Sequence, residues 1–480
     1  MTERVVVPSV RLTEPMEALA ARLRTIRDDL EVSAGFSSDV EAEAAATAAA
    51  ASLPADDQSA VEFVTIDPEG ATDLDQAVHL SRSGEGYTVR YAIADVPTFV
   101  TPDGAVDAEA RRRGQTLYAP DGRIPLHPTV ISEGAASLLE GQLRGAFVWS
   151  FELDAAANVT ATTLARAQVR SRHQYSYAEV QALIDDGTAV DSLLLLREVG
   201  VKRIQLERER GGASLNRPDE EVEFVAGQYV LVRRSPLPVE EWNAQISLMT
   251  GMAAAAIMIK GGIGILRTMP APETETLENF RRQVAALGCP WPVTQPYGEY
   301  LRSIDRDDPR GLAAIHAAAS LFRGAGYTAF DGEVPEGLVQ AAVAAPYAHT
   351  TAPLRRLVDR FVLITCEALV AGTPVPSWVR EALPTLPKLM SRSDSVASGL
   401  DRASVDAIEA ALLAARVGET FDAVVISVRN GGGGSQPSGI IQLTDPVVTA
   451  RVEGAVVAGE SIRVMLESAD IATGAVVFRA

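Results

Sequence analysis

The sequence predicts an α+β fold that ends in a small all-β barrel. Two runs rich in β-branched and aromatic residues, 87–93 and 146–153, indicate strands in the first third of the chain. From Tyr177 onward, apolar residues recur every three to four positions. This spacing predicts helices, chiefly over 192–210, 239–259, 274–287 and 309–325. Strands in one region and helices in another are typical of an α+β protein.

The chain before the first strand is expected to be helical. Residues 14–32 carry apolar side chains at helical spacing, with charged residues between them. Ser38 or Asp39 is expected to cap a second, alanine-rich helix. Residues 53–57 (LPADD) then form a break that resembles a linker. We therefore expect a helical N-terminal region over residues 1–60.

Five short strand-like runs close the sequence and predict a barrel of the OB type. They cover residues 418–428, 439–443, 447–452, 461–466 and 474–478. A glycine-rich turn over 430–435 follows the first run. These boundaries divide the chain into the helical region 1–60, a mixed domain over 61–400 and a β-barrel over 401–480.

The segment from Thr65 to Val78 is the first candidate for chemistry. Asp67, Asp73 and Asp75 lie within nine residues at the end of an apolar run. Carboxylates this close repel one another unless a cation lies between them, and oxygen ligands without His or Cys suit Mg²⁺ or Mn²⁺. A solvated acidic turn is the alternative. An EF-hand fits poorly, because its glycine and bidentate glutamate would be replaced by other residues.

The segment 347–360 (YAHTTAPLRRLVDR) supplies cationic groups. Pro353 is expected to begin a helix that a threonine caps, so that the helix N-terminus, Arg355 and Arg356 form one anion site. The alternative for Arg355 is a surface ion pair with Asp359, four residues further on. Carboxylates for a metal and arginines for a phosphate together suit phosphodiester cleavage.

Three ordered blocks of sequence resemble a known family. Residues 67–75 match the pattern D-P-x-x-A-x-D-x-D, and residues 351–356 resemble T-S-P-I-R-R. Between them, residues 116–120, 124–126 and 132–138 are similar to the blocks Y-L-P, I-P-M-L-P and L-S…S-L. These are the blocks of the RNase II/RNase R (RNB) exoribonucleases. The terminal barrel resembles the S1 RNA-binding domain of that family.

The resemblance implies roles for particular residues. Asp67, Asp73, Asp75 and Gln76 would hold Mg²⁺ or Mn²⁺. Arg355 would bind the scissile phosphate, with Arg356 as its substitute. Tyr118, expected in an extended segment after a helix over 105–115, would position the end of the RNA. The remaining candidates for substrate contact are Arg356, Thr351 and His349.

The chain departs from the family pattern at several positions. Gln76 stands where the family usually has a fourth aspartate, and its uncharged amide is expected to weaken one metal site or to shift metal preference. Leu215 stands at the best match to an aromatic residue that stacks on the RNA 3′ end, so we expect a weaker grip there. Ala352 and Leu354 replace the serine and isoleucine of T-S-P-I-R-R, which packing should tolerate.

Composition and charge limit what this protein can bind and where it is expected to act. The 480 residues carry a net charge of −20, which argues against generic nucleic-acid binding. Local basic clusters, such as 111–113 and 202–210, are expected to line a positive channel. Two distant cysteines and the lack of a signal-peptide pattern favour the cytoplasm, and we expect no membrane attachment. About 60 residues precede the metal loop, so the two cold-shock barrels usual in the family are expected to be missing.

These observations predict a hydrolytic 3′→5′ exoribonuclease that acts on single-stranded RNA and releases nucleoside 5′-monophosphates. Direction and product come from the resemblance. The main alternative is a catalytically weakened or inactive relative that binds RNA ends, which Gln76, Leu215 and the acidic composition favour. A scaffold with basic protein partners is a more distant alternative. The oligomeric state, the natural RNA and the use of structured RNA stay open.

Overall fold

The computed structural model describes most of the chain. The described residues are 14–213, 215, 219–225, 228–234, 236–306, 308–429, 437–446 and 448–480. The first thirteen residues of the predicted N-terminal region and the predicted turn 430–435 therefore lie outside the described residues.

A closed five-stranded barrel forms the first half of the fold. The strands in this part of the chain are β1 (Phe63–Asp67), β2 (Gln76–Ser83), β3 (Gly86–Ala94), β4 (Leu117–Ala119), β5 (Gly122–Ile124), β6 (Leu143–Leu153) and β7 (Val159–Ser176). The barrel order is β1-β2-β3-β6-β7, with β1 parallel to β7 and the other pairs antiparallel. The predicted strands 87–93 and 146–153 are confirmed as β3 and β6.

Helices surround and follow this barrel. They are α1 (Glu14–Asp29), α2 (Ser38–Ala50), α3 (Ala105–Arg113), α4 (Tyr177–Asp185), α5 (Asp191–Arg210), α6 (Pro238–Gly261), α7 (Thr274–Ala286), α8 (Tyr297–Ser303), α9 (Pro309–Ala318), α10 (Leu357–Ala371), α11 (Ser377–Ala382) and α12 (Leu386–Leu413). The predicted helices before residue 300 agree with this list to within a few residues. The helix predicted over 309–325 ends earlier, at Ala318, and continues as a 3₁₀ turn.

The remaining strands form three antiparallel pairs and a second barrel. The pairs are β8 (Asp219–Val225) with β9 (Gln228–Arg234), β10 (Ile263–Thr268) with β11 (Gly326–Asp331), and β12 (Val339–Gln340) with β13 (Ala345–Pro346). The second barrel contains β14 (Thr420–Arg429), β15 (Ser438–Leu443), β16 (Thr449–Glu453), β17 (Ser461–Asp470) and β18 (Ala475–Arg479). Its strand order is β14-β15-β16-β18-β17, so the predicted five-stranded barrel is confirmed.

The two phenylalanines of the second barrel belong to its core. Phe421 and Phe478 are buried, and their ring centroids lie 5.6 Å apart in an edge-to-face arrangement. Such a pair stabilises the barrel interior and leaves neither ring available for stacking on a base. RNA contact by this barrel would therefore depend on its polar surface.

The N-terminal helices differ from the prediction at their ends. Helix α1 ends at Asp29, and its buried Leu19 and Leu23 pack in one cluster with Leu400 and Ile408 of α12. The prediction that Ser38 or Asp39 caps α2 is wrong. Both lie inside the helix, and Ser37 precedes it without a side-chain capping hydrogen bond. The predicted boundary between residues 400 and 401 falls inside α12.

The largest core cluster joins the first barrel to α5, α6 and α10. Trp149, Phe147 and Phe361 are fully buried in it. Helix α6 is long and apolar enough, by length and composition alone, to cross a membrane, the one such helix among the residues described. Here it packs against α5, α10 and β10, which is the position of a core helix.

Candidate active site

The aspartate-rich segment is the loop between two neighbouring strands of the first barrel. Strand β1 ends at Asp67 and β2 begins at Gln76. The loop is anchored at Leu74, which is fully buried and whose N–H donates to Ser137 Oγ at 2.9 Å. Ser137 Oγ in turn donates to Thr72 O at 2.7 Å. This anchoring fixes the backbone on either side of the Asp73 carboxylate.

Asp67 and Asp75 are carboxylates without sufficient counter-charge. Burial, followed by the charge of Asp73, raises the pKa of Asp67 to about 7, against the lowering effect of Arg355. Its Oδ2 is buried and has no hydrogen-bond partner. Burial also raises the pKa of Asp75 well above its ordinary value. A bound cation would offset the negative charge of both carboxylates, and protonation would remove it.

Asp73 faces an arginine. Arg123 Nη1 lies 2.6 Å from Asp73 Oδ1, and its Nη2 lies 2.6 Å from Glu133 Oε1. Within the described part of the chain, no group of three or more His, Cys, Asp or Glu side chains could hold a metal ion. The three predicted aspartates therefore do not form a metal site in this arrangement, in which Arg123 pairs with one of them, Asp73.

The donor chemistry nevertheless fits a hard divalent cation. Asp67 offers an orphaned, buried oxygen, and Asp75 has one oxygen whose nearest cation is Arg355 at 3.8 Å. Oxygen-only donors favour Mg²⁺ or Mn²⁺ over softer metals. Asp73 could join these two only after leaving Arg123.

Gln76 is bonded at both ends of its amide. Nε2 donates to Thr351 O at 2.6 Å, and Oε1 accepts from Tyr91 Oη at 2.5 Å. The expectation that Gln76 offers its carbonyl to a metal does not agree with this arrangement, because Tyr91 already uses that oxygen. Its amide instead joins β2 to the segment that contains the arginines.

The prediction that Pro353 begins a helix is wrong. Helix α10 begins at Leu357, and Arg356 before it is extended, with φ −135° and ψ 125°. The backbone from Ala352 to Arg355 instead forms a turn, with Arg356 N donating to Ala352 O at 2.9 Å. Neither Thr350 nor Thr351 caps α10, so the two guanidiniums and a helix N-terminus do not form one anion site.

Asp359 pairs with Arg356 and not with Arg355. Arg356 Nε lies 3.0 Å from Asp359 Oδ2, and Arg356 Nη2 lies 3.0 Å from Asp359 Oδ1. The side chain of Asp359 is fully buried. Asp359 Oδ1 also accepts from Ala352 N at 2.7 Å. Arg355 has a half-exposed side chain (47%) and its Nε lies 3.8 Å from Asp75 Oδ2. The two arginines therefore differ, since one holds the loop and the other faces the carboxylate.

Arg360 and Thr351 lie inside the protein. Arg360 is fully buried and pairs with Asp107 on α3, so it does not extend the cationic site. Thr351 is buried as well, and its Oγ1 lies 2.8 Å from Ser247 Oγ. We predicted that Thr351 contacts substrate, but in this arrangement its hydroxyl contacts the core.

Tyr118 is brought next to Arg355 by backbone pairing. Thr116 N donates to Arg355 O at 2.9 Å, and Gln115 forms an antiparallel bridge with Arg356. Tyr118 follows in β4, and the residue is 55% exposed. Since this pairing joins segments far apart in sequence, neither segment predicts it alone.

Most of the residues predicted to contact substrate line one cavity. Its volume is about 370 Å³, and Tyr118, His349, Arg355 and Arg356 all line it. Sequence reasoning missed several further lining residues, among them Tyr327 and Asp394. Tyr327 was an unmarked aromatic in β11, and no motif singled it out.

His349 lies between two tyrosine rings in this cavity. Its ring centroid lies 5.7 Å from that of Tyr327 and 5.5 Å from that of Tyr347, and its Nδ1 lies 2.7 Å from Tyr327 Oη. Burial, followed by the charge of Arg356, holds the pKa of His349 well below its ordinary value. It is therefore neutral at physiological pH and offers hydrogen bonds but no positive charge.

His127 is a structural histidine next to the segment that carries the arginines. It is buried, and its Nδ1 lies 3.2 Å from Leu354 O. On the other side of the same residue, Leu354 N donates to Asp75 Oδ1 at 2.7 Å. Burial, with help from Arg360, lowers the pKa of His127 to about 3. The neutral ring thus donates to Leu354 O and fixes the residue that contacts Asp75.

Leu215 lines a different cavity from that of Tyr118. This second cavity, of about 460 Å³, also contains Arg302 and Phe322. Leu215 is half-buried against the cluster around Phe280, and its neighbours at 214 and 216 lie outside the described residues. The predicted loss of stacking at Leu215 stays a prediction.

Carboxylates neutralise most of the basic clusters that were expected to line a channel. The pairs are Arg111 with Asp107, Arg112 and Arg113 with Glu109, Arg123 with Asp73 and Glu133, Arg166 with Asp95 and Glu367, Lys202 with Glu198, and Arg208 with Glu299. These ion pairs reduce the net positive charge of the clusters, and a positive channel stays a prediction.

Comparison with protein families matches two parts of the chain. Residues 56–371 match the RNB domain, and residues 419–480 match the RNase II-type exonuclease C-terminal S1 domain. The first match covers more than half of the sequence and includes the aspartate loop, Tyr118 and both arginines.

Curated proteins with similar sequences carry exonuclease or ribonuclease names. The chain is 28% identical over 350 residues to the exosome complex exonuclease RRP44 homolog A of Arabidopsis thaliana, which covers 69% of this chain and 37% of that protein. It is 25% identical over 392 residues to ribonuclease R of Thermotoga maritima, which covers 77% and 54%. The chain spans between about a third and half the length of these relatives.

Solved structures share the fold at low sequence identity. Mycoplasma genitalium RNase R in complex with ribose methylated single-stranded RNA matches with a TM-score of 0.85 at 16% identity, over 96% of this chain and 78% of that chain. Yeast Ssd1, a pseudonuclease, matches with a TM-score of 0.65 at 17% identity, over 82% and 49%. The fold therefore occurs both in a protein named as a nuclease and in one named as a pseudonuclease.

Proposed function

Because the chain belongs to the RNB-domain family of ribonucleases, we propose that it is a hydrolytic 3′→5′ exoribonuclease that releases nucleoside 5′-monophosphates from single-stranded RNA. One observation carries the proposal. The guanidinium of Arg355 and the carboxylate of Asp75, from opposite ends of the family match, lie 3.8 Å apart beside the cavity that Tyr118 lines. A cytoplasmic location stays a prediction.

We propose Mg²⁺ or Mn²⁺ as the cofactor, held by Asp67 and Asp75 and, after release from Arg123, by Asp73. A divalent ion in such a site polarises the phosphate, lowers the pKa of a bound water and stabilises the leaving oxygen. The orphaned oxygen of Asp67 and the raised pKa values of Asp67 and Asp75 support this assignment, since Arg355 does not offset the burial of the two carboxylates.

The side chains of this protein supply binding and orientation. Arg355 is exposed enough to reach a phosphate in the cavity and would stabilise the negative charge that develops there. Tyr118 presents an exposed ring on which the terminal base could stack. Neutral His349, together with Tyr327, offers hydrogen bonds to the sugar or base without attracting a second phosphate.

A non-catalytic protein that binds RNA ends is the second candidate function. The ion pair between Arg123 and Asp73 favours it, because a carboxylate whose charge an arginine neutralises attracts a metal ion less strongly. Gln76 in place of an aspartate removes one further negative charge from the site. This candidate predicts RNA binding that does not depend on a divalent ion.

The decisive experiment follows the decay of a 5′-labelled, unstructured RNA in Mg²⁺ and then in Mn²⁺. Wild type is compared with Asp75→Asn and Arg355→Ala, and with the matched surface variants Asp186→Asn and Arg24→Ala. A shrinking ladder that ends in a short 5′ fragment, lost only in the two site variants, is the expected result. RNA binding without decay in either metal would instead favour the second candidate function.

A further inference from the structure

Gln76 spans two parts of the fold. It is the first residue of β2, and its backbone pairs with Ile93 of β3 in the barrel wall. From there its side chain extends to Thr351 O at 2.6 Å and to Tyr91 Oη at 2.5 Å. The first contact crosses from the barrel to the loop that contains Arg355.

The chemistry of these two partners fixes the orientation of the amide. The carbonyl of Thr351 can only accept a hydrogen bond, so the nitrogen of the amide must face it. Tyr91 can donate, so the oxygen of the amide faces the hydroxyl. The reversed orientation would place two oxygens together at Thr351, which excludes it.

Four side chains bond the backbone of the loop that carries Arg355. Gln76 donates to Thr351 O, the buried Asp359 accepts from Ala352 N at 2.7 Å, and Asp75 accepts from Leu354 N at 2.7 Å. Two of these contacts are made by carboxylates that accept from backbone N–H groups. In the other two contacts the side chain donates, Gln76 Nε2 to Thr351 O and His127 Nδ1 to Leu354 O at 3.2 Å.

An aspartate at position 76 could not make this contact. A carboxylate has no hydrogen to give to Thr351 O, and its shorter side chain would withdraw from the loop. The amide of glutamine supplies both the reach and the donor. The same choice directs the amide oxygen toward Tyr91 and away from a ligand role.

We infer that Gln76 is a positioning residue, which ties the loop of Arg355 to strand β2 and does not ligate the metal. Its effect on turnover rests on the function proposed above, whereas its effect on the loop does not. Catalysis depends on the placement of Arg355 to within about 1 Å, since a misplacement of that size can cost about 10²-fold in rate.

The test compares two variants of similar size. Gln76→Met removes both hydrogen bonds without adding charge, and Gln76→Glu keeps an oxygen for Tyr91 but loses the donor for Thr351. Gln205→Met is the matched control, because Gln205 is exposed on α5 and its amide donates to Glu209 of the same helix. Thermal unfolding establishes that each variant is folded.

If Gln76 is a positioning residue, kcat should change in the same direction in both variants. We expect kcat on RNA to fall by about 10- to 100-fold in each, with little change in KM. Mn²⁺ affinity, measured calorimetrically without RNA, should be the same in Gln76→Met and wild type. Hydrogen–deuterium exchange in the peptide 348–357 should rise in Gln76→Met and stay unchanged in Gln205→Met.

A ligand role predicts opposite directions and would overturn the inference. In that case Gln76→Glu would bind Mn²⁺ more tightly and keep its rate, while Gln76→Met would lose Mn²⁺ affinity. Unchanged exchange in Gln76→Met would also overturn it. If wild type cleaves no RNA, the proposed function fails, but the exchange measurement still decides whether Gln76 holds the loop.

Discussion

Asp75 is contacted twice by the loop that carries Arg355. Its Oδ1 accepts from Leu354 N at 2.7 Å, and its Oδ2 lies 3.8 Å from Arg355 Nε. A buried carboxylate and a half-exposed guanidinium are thereby placed by one backbone segment. Any shift of this segment changes the distance between the group proposed for the metal and the group proposed for the phosphate.

Replacing Arg355 and replacing Arg356 should have different effects. Arg355→Ala is expected to lower the single-turnover cleavage rate by about 10²-fold or more, because a pre-placed cation at the developing charge is lost. Its thermal unfolding should change little, since the guanidinium is half exposed. Rapid quench of labelled RNA and a thermal melt measure the two effects.

Arg356→Ala should instead destabilise the protein. It leaves the fully buried Asp359 without its bidentate partner, and breaking a buried pair in this way costs about 3–5 kcal/mol. Arg356→Lys should recover little of this, because an ammonium cannot make the paired contact. A normal melting temperature with a lost cleavage rate would show that Arg356, too, acts on substrate.

Tyr118 should contribute to RNA affinity through its ring. Stacking of a base on an aromatic side chain is worth about 1–3 kcal/mol, so Tyr118→Ala should weaken binding by about fivefold or more. Tyr118→Phe keeps the ring and should bind as wild type does. Fluorescence anisotropy of labelled RNA in EDTA isolates binding from cleavage, and equal losses in both variants would assign the effect to the hydroxyl.

Arg123 should compete with the metal for Asp73. Arg123→Gln removes the guanidinium that neutralises Asp73 and Glu133, so Mn²⁺ binding without RNA is expected to tighten. Arg112→Gln is the control, since Arg112 pairs with Glu109 on the surface of α3. Identical Mn²⁺ affinity in Arg123→Gln and wild type would remove Asp73 from the set of ligands.

His127 should make the stability of the fold depend on acid pH. The unfolded histidine takes up a proton near its ordinary pKa of 6.5, whereas in the fold its pKa is about 3. Between these values the unfolded state binds more protons, so stability is fully present above pH 6.5 and is lost as pH falls toward 3. His127→Asn keeps an N–H for Leu354 O but does not titrate.

Urea unfolding of wild type and His127→Asn at several pH values measures this dependence. The free energy of unfolding should fall more steeply in wild type than in His127→Asn below pH 6.5. Parallel curves for the two proteins would mean that His127 is protonated within the fold, which its burial opposes.

Local patterns predicted most of the fold correctly. The strands β3 and β6 and the helices α5, α6 and α7 follow from the spacing of apolar residues, because that spacing depends only on neighbours in sequence. The same holds for the five strands of the second barrel. The motifs also identified Asp75, Arg355 and Tyr118, which the structure brings to one region.

Contacts between residues distant in sequence determine the features that local patterns did not predict. Pro353 was expected to start a helix, but Leu354 N donates to Asp75, 279 residues away, and Ala352 N donates to Asp359. With these donors engaged by side chains, the segment forms a turn and the helix begins later. Arg123 likewise pairs with Asp73 across 50 residues, which no motif indicates.

The separation of Asp75 and Arg355 along the chain also affects how this protein is made. A ribosome that has released only the strands β1 to β7 presents the aspartates without the guanidinium and the backbone N–H that complete the site. The proposed nuclease becomes competent only once the chain through α10 has folded back onto the barrel. The proposed site is therefore complete only after elongation has passed that point.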